Sequence, residues 1–255
     1  MTPKASPTLS GRTLYIPQMS LEGAACMAAA FRSIGVEAHP APAADQEGFA
    51  LAKKYLSGDE CLPEAVTLGS LLQITRQTDY RPEKTAILLP TSNGPCRFGH
   101  YLPLARKIFQ LRGDGEVMLF SPSSTDGYKD IGEHARDVVR TGWRAVVAAD
   151  ILRKMQLKTR PYELYAGQTD RVFMSSLEEV CTAIATPALS HRRRLLHIRD
   201  ALTGARDAFR HIPQDRQQRR LLIGIVGEIF CRLDEFSNDA LVRLIERFGG
   251  EAWMS

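Results

Sequence analysis

Of the side chains able to do chemistry, five cysteines stand out: Cys26, Cys61, Cys96, Cys181 and Cys231. An odd, scattered set in a chain whose first residues lack the apolar middle of a secretory signal reads as reduced thiols. Each is then either a small buried hydrophobe or a metal ligand. Two lie in similar contexts: Gly58-Asp-Glu-Cys-Leu-Pro63 immediately precedes a predicted helix, and Asn93-Gly-Pro-Cys-Arg-Phe-Gly99 joins a predicted strand to a helix. A thiol at a helix N-terminus meets free N–H groups and the positive end of the macrodipole, which favour the thiolate, the form that binds metal. A glycine such as Gly94 lets the backbone approach a bulky inorganic group, and Arg97 adds positive charge beside it. Neither turn is a C-x-x-C, so the spacing is not that of a zinc ribbon or a ferredoxin. Two ligands are also too few for a cluster, and on these residues alone the thiols stay open between core packing and ligation. Cys26 and Cys181 fall on predicted helices among apolar neighbours and read as core thiols.

Glu228 follows an apolar run and Gly227, at the carboxyl end of a predicted buried strand, where open α/β sheets bind ligands. It reads either as a catalytic carboxylate or as a helix cap or partner of Arg232. His100 and Tyr101, at the start of the helix after Cys96, can hydrogen-bond around a metal group or sit as ordinary buried side chains. No Ser/His/Asp arrangement, phosphate loop or G-x-G-x-x-G string is present.

The elements that must position these residues alternate. Strands are predicted at Thr13–Met19, Val36–His39, Thr85–Pro90 and Val117–Ser121. Helices are predicted at Glu22–Ser33, Asp45–Leu56, Pro63–Arg76 and Arg97–Arg112, with Gly35 in the place of a C-cap. This is the pattern of an α/β Rossmann-like, doubly wound, mostly parallel sheet over 13–126, behind a disordered tail over 1–12. The segment 127–213 reads as helical, with Gly142 as a break and an amphipathic helix whose arginines, Arg192, Arg193, Arg194 and Arg199 among them, form a basic outer face. At 214–255 a strand, a helix capped by Ser237 or Asn238, and a second strand begin a further α/β unit. It stops where most such domains continue, so the expectation is a truncated unit or a sheet completed by a partner.

Composition sets the outer bounds: 255 residues, 44% hydrophobic and 24% charged, with a net charge of +4. That is globular, and too mildly basic to argue for nucleic acid. No apolar run approaches the ~20 residues of a membrane helix, so no membrane partner is expected.

Four strings stand in order: Gly58-Asp-Glu-Cys-Leu-Pro63, Asn93-Gly-Pro-Cys-Arg-Phe-Gly-His-Tyr101, Arg160-Pro-Tyr-Glu163 and Gly227-Glu-Ile-Phe-Cys-Arg-Leu-Asp-Glu-Phe-Ser-Asn238. Together they resemble the iron–sulfur portion of acyl-CoA dehydratase activase-related proteins, a group similar to the cluster-bearing component of 2-hydroxyacyl-CoA dehydratases. The resemblance implies Rossmann-like domains holding an oxygen-sensitive 4Fe-4S cluster between them, with Cys61 and Cys96 carried over as ligands. A third ligand in that group usually lies nearer the C-terminus; Cys231 is the substitute this chain offers. Also implied are a cytoplasmic location, a separate ATP-hydrolysing activator that injects one low-potential electron, and an acyl-CoA thioester substrate. In such a dehydratase or reductase component that electron makes a ketyl of the thioester carbonyl and so permits elimination of water. The alternatives are a cluster-free α/β module that docks to an activator or dehydratase, and a metal-free small-molecule binder.

Overall fold

The computed structural model describes residues 9–91, 94–123, 127–217 and 219–254. Expectations that fall on 1–8, Ser92, Asn93, 124–126, Gln218 and Ser255 lie outside the described residues.

The first sheet contains β1 (Thr13–Ile16), β2 (Ala38–Pro40), β3 (Thr85–Leu88) and β4 (Met118–Phe120), parallel throughout in the order β2-β1-β3-β4. Its register pairs Leu14 with Ala38 and Ala86, and Ile87 with Leu119. Every β3 residue is buried, as the continuous apolar run requires of a central parallel strand. The chain crosses from β1 to β2 through α1 (Leu21–Arg32), from β2 to β3 through α2 (Gln46–Ala52) and α3 (Leu62–Ile74), and from β3 to β4 through α4 (Phe98–Leu111). Ser20 and Asp45 cap α1 and α2 by accepting from the amides of Gly23 and Gly48.

Strand alternation assigns the two faces. Leu14, Ile16, Ala86, Leu88 and Phe120 pack with Phe31 of α1, whereas Ile87 and Tyr15 pack with α3 and α4 through Leu71, Leu72, Ile108 and Phe109. The sheet is therefore covered on both sides, a Rossmann-like α/β arrangement. Residues 9–12, expected in the tail, are fixed: Leu9 is buried, and Arg12 donates to the carbonyls of Pro82, Thr85 and Glu116.

Behind α1 lies a helical layer of α5 (Ala135–Thr159), α6 (Gln168–Ala185) and α7 (His191–Arg210), which shares a core with Cys26, Ala29 and Ala30. Helix α5 runs unbroken through Gly142. A Cβ there would stand 3.2 Å from the Met27 sulfur, so this glycine serves close helix packing and not a break. Arg194, expected on the outer basic face, is buried and donates to the carbonyls of Ile184 and Thr186, joining α7 to the end of α6.

The last unit has β5 (Leu221–Ile225) and β6 (Gly250–Met254) paired in parallel, with α8 (Ile229–Leu233) and α9 (Leu241–Arg247) between them. The N-cap of α9 is Ala240, not the expected Ser237 or Asn238, although Asn238 accepts from the amide of Leu241. Strand β5 was expected to be buried; instead its first four residues are exposed, Leu221 by 78%. Only Ile225 enters the small core with Leu157, Val242 and Ala252.

Candidate metal centre

The turn before α3 is stapled by Glu60, whose carboxylate accepts from the amides of Ser57 and Gly58 and from the Ser57 hydroxyl. Gly58, at φ +99°, makes the bend, and Cys61 is the N-cap of α3 with no capping hydrogen bond from its own side chain. Pro63 stands in the first turn, where its missing N–H is no loss. The Cys61 thiol is thus set at the head of a 13-residue helix and left free for another partner.

That partner comes from α4. The Tyr101 hydroxyl lies 3.5 Å from Cys61 Sγ. Its ring is braced edge-on against Phe98 at 5.1 Å between centroids. Burial first, then the hydrogen bond to Cys61 and the negative potential of Cys61, Glu64 and Cys96, push the Tyr101 phenol well up from its ordinary value. The phenol keeps its proton, so it is the donor whenever Cys61 is a thiolate. Tyr101 thus contacts the first cysteine turn and feels the charge of the second.

Cys96 is exposed, one residue before the N-cap of α4, and its sulfur accepts from the amide of Phe98 at 3.5 Å. Arg97 donates to the carbonyl of Asp59 and so ties the second cysteine turn to the first. Its guanidinium acts here as a link between loops. Gly94 is an exposed bend residue beside them.

The third turn arrives from the last unit. The Glu228 side chain caps α8 by accepting from the amide of Cys231 at 2.9 Å. Although burial opposes it, the amides of Cys231 and Phe230 hold the Glu228 carboxyl below its usual range. Of the two readings of Glu228, the geometry gives the cap. Burial, together with the charges of Glu228, Asp234 and Cys61, pushes the Cys231 thiol up. Of these influences the charge of Cys61 is the smallest. Asn238 fixes this turn by donating to the carbonyls of Cys231 and Arg232. The Phe49 and Phe236 rings, 5.8 Å apart, hold it to α2.

Two of the five thiols lie elsewhere. Cys26 and Cys181 face each other across α1 and α6 with sulfurs 4.0 Å apart, inside the helical core. Their mutual hydrogen bond and burial push Cys26 far up, and both behave as core groups.

Glu64 was not singled out by the sequence, although it stands three residues after Cys61, at the spacing of a helix-start acid. It is 2% exposed; one carboxylate oxygen pairs with His100 Nδ1 at 2.9 Å and the other has no partner among the described residues. It borders a cavity of about 10 Å³ between α3 and α4, also lined by Leu68, Tyr101 and Leu104. His100 is more than half exposed, not the buried histidine that was the alternative expectation.

The donor set has a definite chemistry. Three thiols on three separate turns suit a soft, thiolate-loving metal group. Among the described residues no three His, Cys, Asp or Glu side chains are gathered tightly enough to hold a single metal ion. Gly58, Gly94 and Gly227, each close to one of the three cysteines in sequence, are exposed, and a Cβ on any of them would meet no atom within 4 Å. No family model, curated protein or solved structure matches the chain. Among the described residues no helix is long and apolar enough to cross a membrane.

Proposed function

We propose that this chain binds an iron–sulfur cluster through Cys61, Cys96 and Cys231 and serves as the electron-accepting component of a system resembling the 2-hydroxyacyl-CoA dehydratases. The observation that supports the reading is the joining of two cysteine turns at the heads of α3 and α4, through Tyr101 on Cys61 and Arg97 on Asp59. Bound there, the cluster supplies a single low-potential electron. The protein's part is to hold the sulfurs and tune them. Tyr101 donates to Cys61, the N–H of Phe98 donates to Cys96, and Arg97 locks the two turns together. Glu64 and His100 form a carboxylate–imidazole pair beside Tyr101. The electron donor is an ATP-hydrolysing activator, the substrate class an acyl-CoA thioester and the compartment the cytoplasm, all resting on the resemblance of the four sequence strings.

Anaerobic reconstitution tests this, with iron and acid-labile sulfide analysis and a visible spectrum. Expected is a coloured protein whose iron retention drops severalfold in each of Cys61→Ser, Cys96→Ser and Cys231→Ser and is unchanged in Cys181→Ser. A colourless, iron-free protein after reconstitution overturns the reading. The rivals, a cluster-free α/β docking module and a metal-free small-molecule binder, are then the readings left.

A further inference from the structure

Helix α5 buries one side against α1, α6 and α7 and leaves an opposite stripe in water. Along it run Arg136, Val139, Trp143, Val147 and Asp150, all exposed. Trp143 is 75% exposed and Val147 44%, although the rest of the helical layer is closed around its own core. Val146 widens the apolar strip three residues after Trp143, and exposed Arg140 stands three residues before it. A tryptophan flanked by valines on an outward helix face is the composition of an interface core, not of a solvated face.

The spacing says what covers it. Arg136, Trp143 and Asp150 are seven residues apart and share one line along the helix; Val139 and Val147 flank Trp143 at four residues on either side. The stripe therefore reads in mirror order about Trp143: basic, apolar, aromatic, apolar, acidic. Neither Arg136 nor Asp150 has an ion-pair partner among the described residues. In an antiparallel pair of such helices related by a two-fold axis at Trp143, each residue meets its counterpart an equal distance on the other side of the centre. Val139 of one copy then lies level with Val147 of the other. Arg136 lies level with Asp150, about 10 Å from the axis at 1.5 Å rise per residue, and the ion pair forms twice. A parallel pairing sets arginine beside arginine and aspartate beside aspartate.

We infer that the exposed stripe of α5 is the seat of a two-fold symmetric homodimer, in which two α5 helices pack antiparallel about Trp143 with reciprocal Arg136–Asp150 pairs. The partner is a second copy of this chain, because the stripe is complementary in charge and shape to itself reversed. The inference stands independently of any metal.

Sedimentation equilibrium of the intact chain across the micromolar range tests it. Wild type sediments at twice the chain mass. Arg136→Asp and Asp150→Arg, each placing like charges together twice, weaken the dimer about tenfold or more. Combining them restores it, because the pair is re-formed with its signs exchanged. Trp143→Lys abolishes the dimer while helical circular dichroism is unchanged, since the side chain lies on the surface. A wild-type monomer throughout overturns the inference. So does a dimer indifferent to the single exchanges, and a double exchange that fails to recover association overturns the antiparallel register.

Discussion

Tyr101 contacts Cys61 and feels the charge of Cys96, so its hydroxyl is a natural lever on any metal group held there. Tyr101→Phe keeps the ring against Phe98 and deletes only the donor to Cys61. Reconstituted iron should be unchanged, while the reduction potential of the bound cluster falls by about 40 mV, the equivalent of roughly 1 kcal/mol of differential hydrogen bonding on a one-electron couple. Protein-film voltammetry reads the difference; identical potentials would mean that the phenol does not act on a ligand sulfur. A second lever is Glu228. The neutral form of the Cys231 thiol is favoured by burial and by the charges of Glu228, Asp234 and Cys61. Glu228→Gln removes one of those charges and retains an acceptor for the Cys231 amide. Alkylation of Cys231 in metal-free protein should then set in at lower pH than in wild type; coincident profiles exclude the carboxylate as a cause. At this scale the positions of Cys61 and Cys96 in turns before α3 and α4 were legible, because helix starts announce themselves in sequence. The influence of Cys61 on Cys231 and the place of Glu64 were not, because both depend on which elements the fold stacks together.

Close approach between elements makes its own demands on sequence, and Gly69 carries the sharpest of them. It lies in the middle of α3, where alanine is ordinarily the better helix former by about 1 kcal/mol. A Cβ at that position would stand 2.6 Å from the carbonyl carbon and oxygen of Gly48 in α2, which are backbone atoms with no rotamer to yield. Gly69→Ala should therefore destabilise the protein by roughly 1–3 kcal/mol despite the gain in propensity, with a lower urea midpoint as the readout. A raised midpoint would show that α2 can move away. Helix periods and capping residues made most elements readable, including α7 by its amphipathic spacing. They did not reveal what each element packs on. Gly142 looked like a break because a glycine inside a helix has no local justification; its reason is Met27 on another helix. Strand β5 looked buried because an apolar run carries no record of how many neighbours cover it.

At the scale of the molecule, the position of Cys231 rests on how the β5–β6 unit is held to the rest, and that join is built from Arg160-Pro-Tyr-Glu163. Arg160, at the end of α5, makes a two-pronged bond to Glu246 of α9 at 2.8 and 3.0 Å and another to Asp170 of α6 at 2.9 Å. Tyr162 reaches Glu251 of β6 at 2.7 Å, and Glu163 accepts from the amides of Gly167 and Thr169 at the start of α6. The sequence displayed this string only as a turn and as part of a resemblance; its work as a clasp is visible only once α6, α9 and β6 meet around it. Although burial opposes it, Arg160 and Arg243 hold the Asp170 carboxyl below its usual range, so the network is ionised at neutral pH. Arg160 and Glu246 are nearly inaccessible to water, so removing the arginine strands buried negative charge. Arg160→Met should cost about 3–5 kcal/mol. The loss should be uneven: amides of β5 and β6 exchange faster, while those of the β2-β1-β3-β4 sheet keep their protection, because that sheet has its own cores on both faces. If the clasp also sets the metal centre, the same variant alkylates faster at Cys231 and retains less iron, with Cys61 and Cys96 untouched in their turns. Adding Glu246→Leu and Asp170→Asn removes the stranded charge and should recover much of the stability. Uniform acceleration of exchange over both sheets would instead make the two units a single cooperative block, with no clasp between them to open.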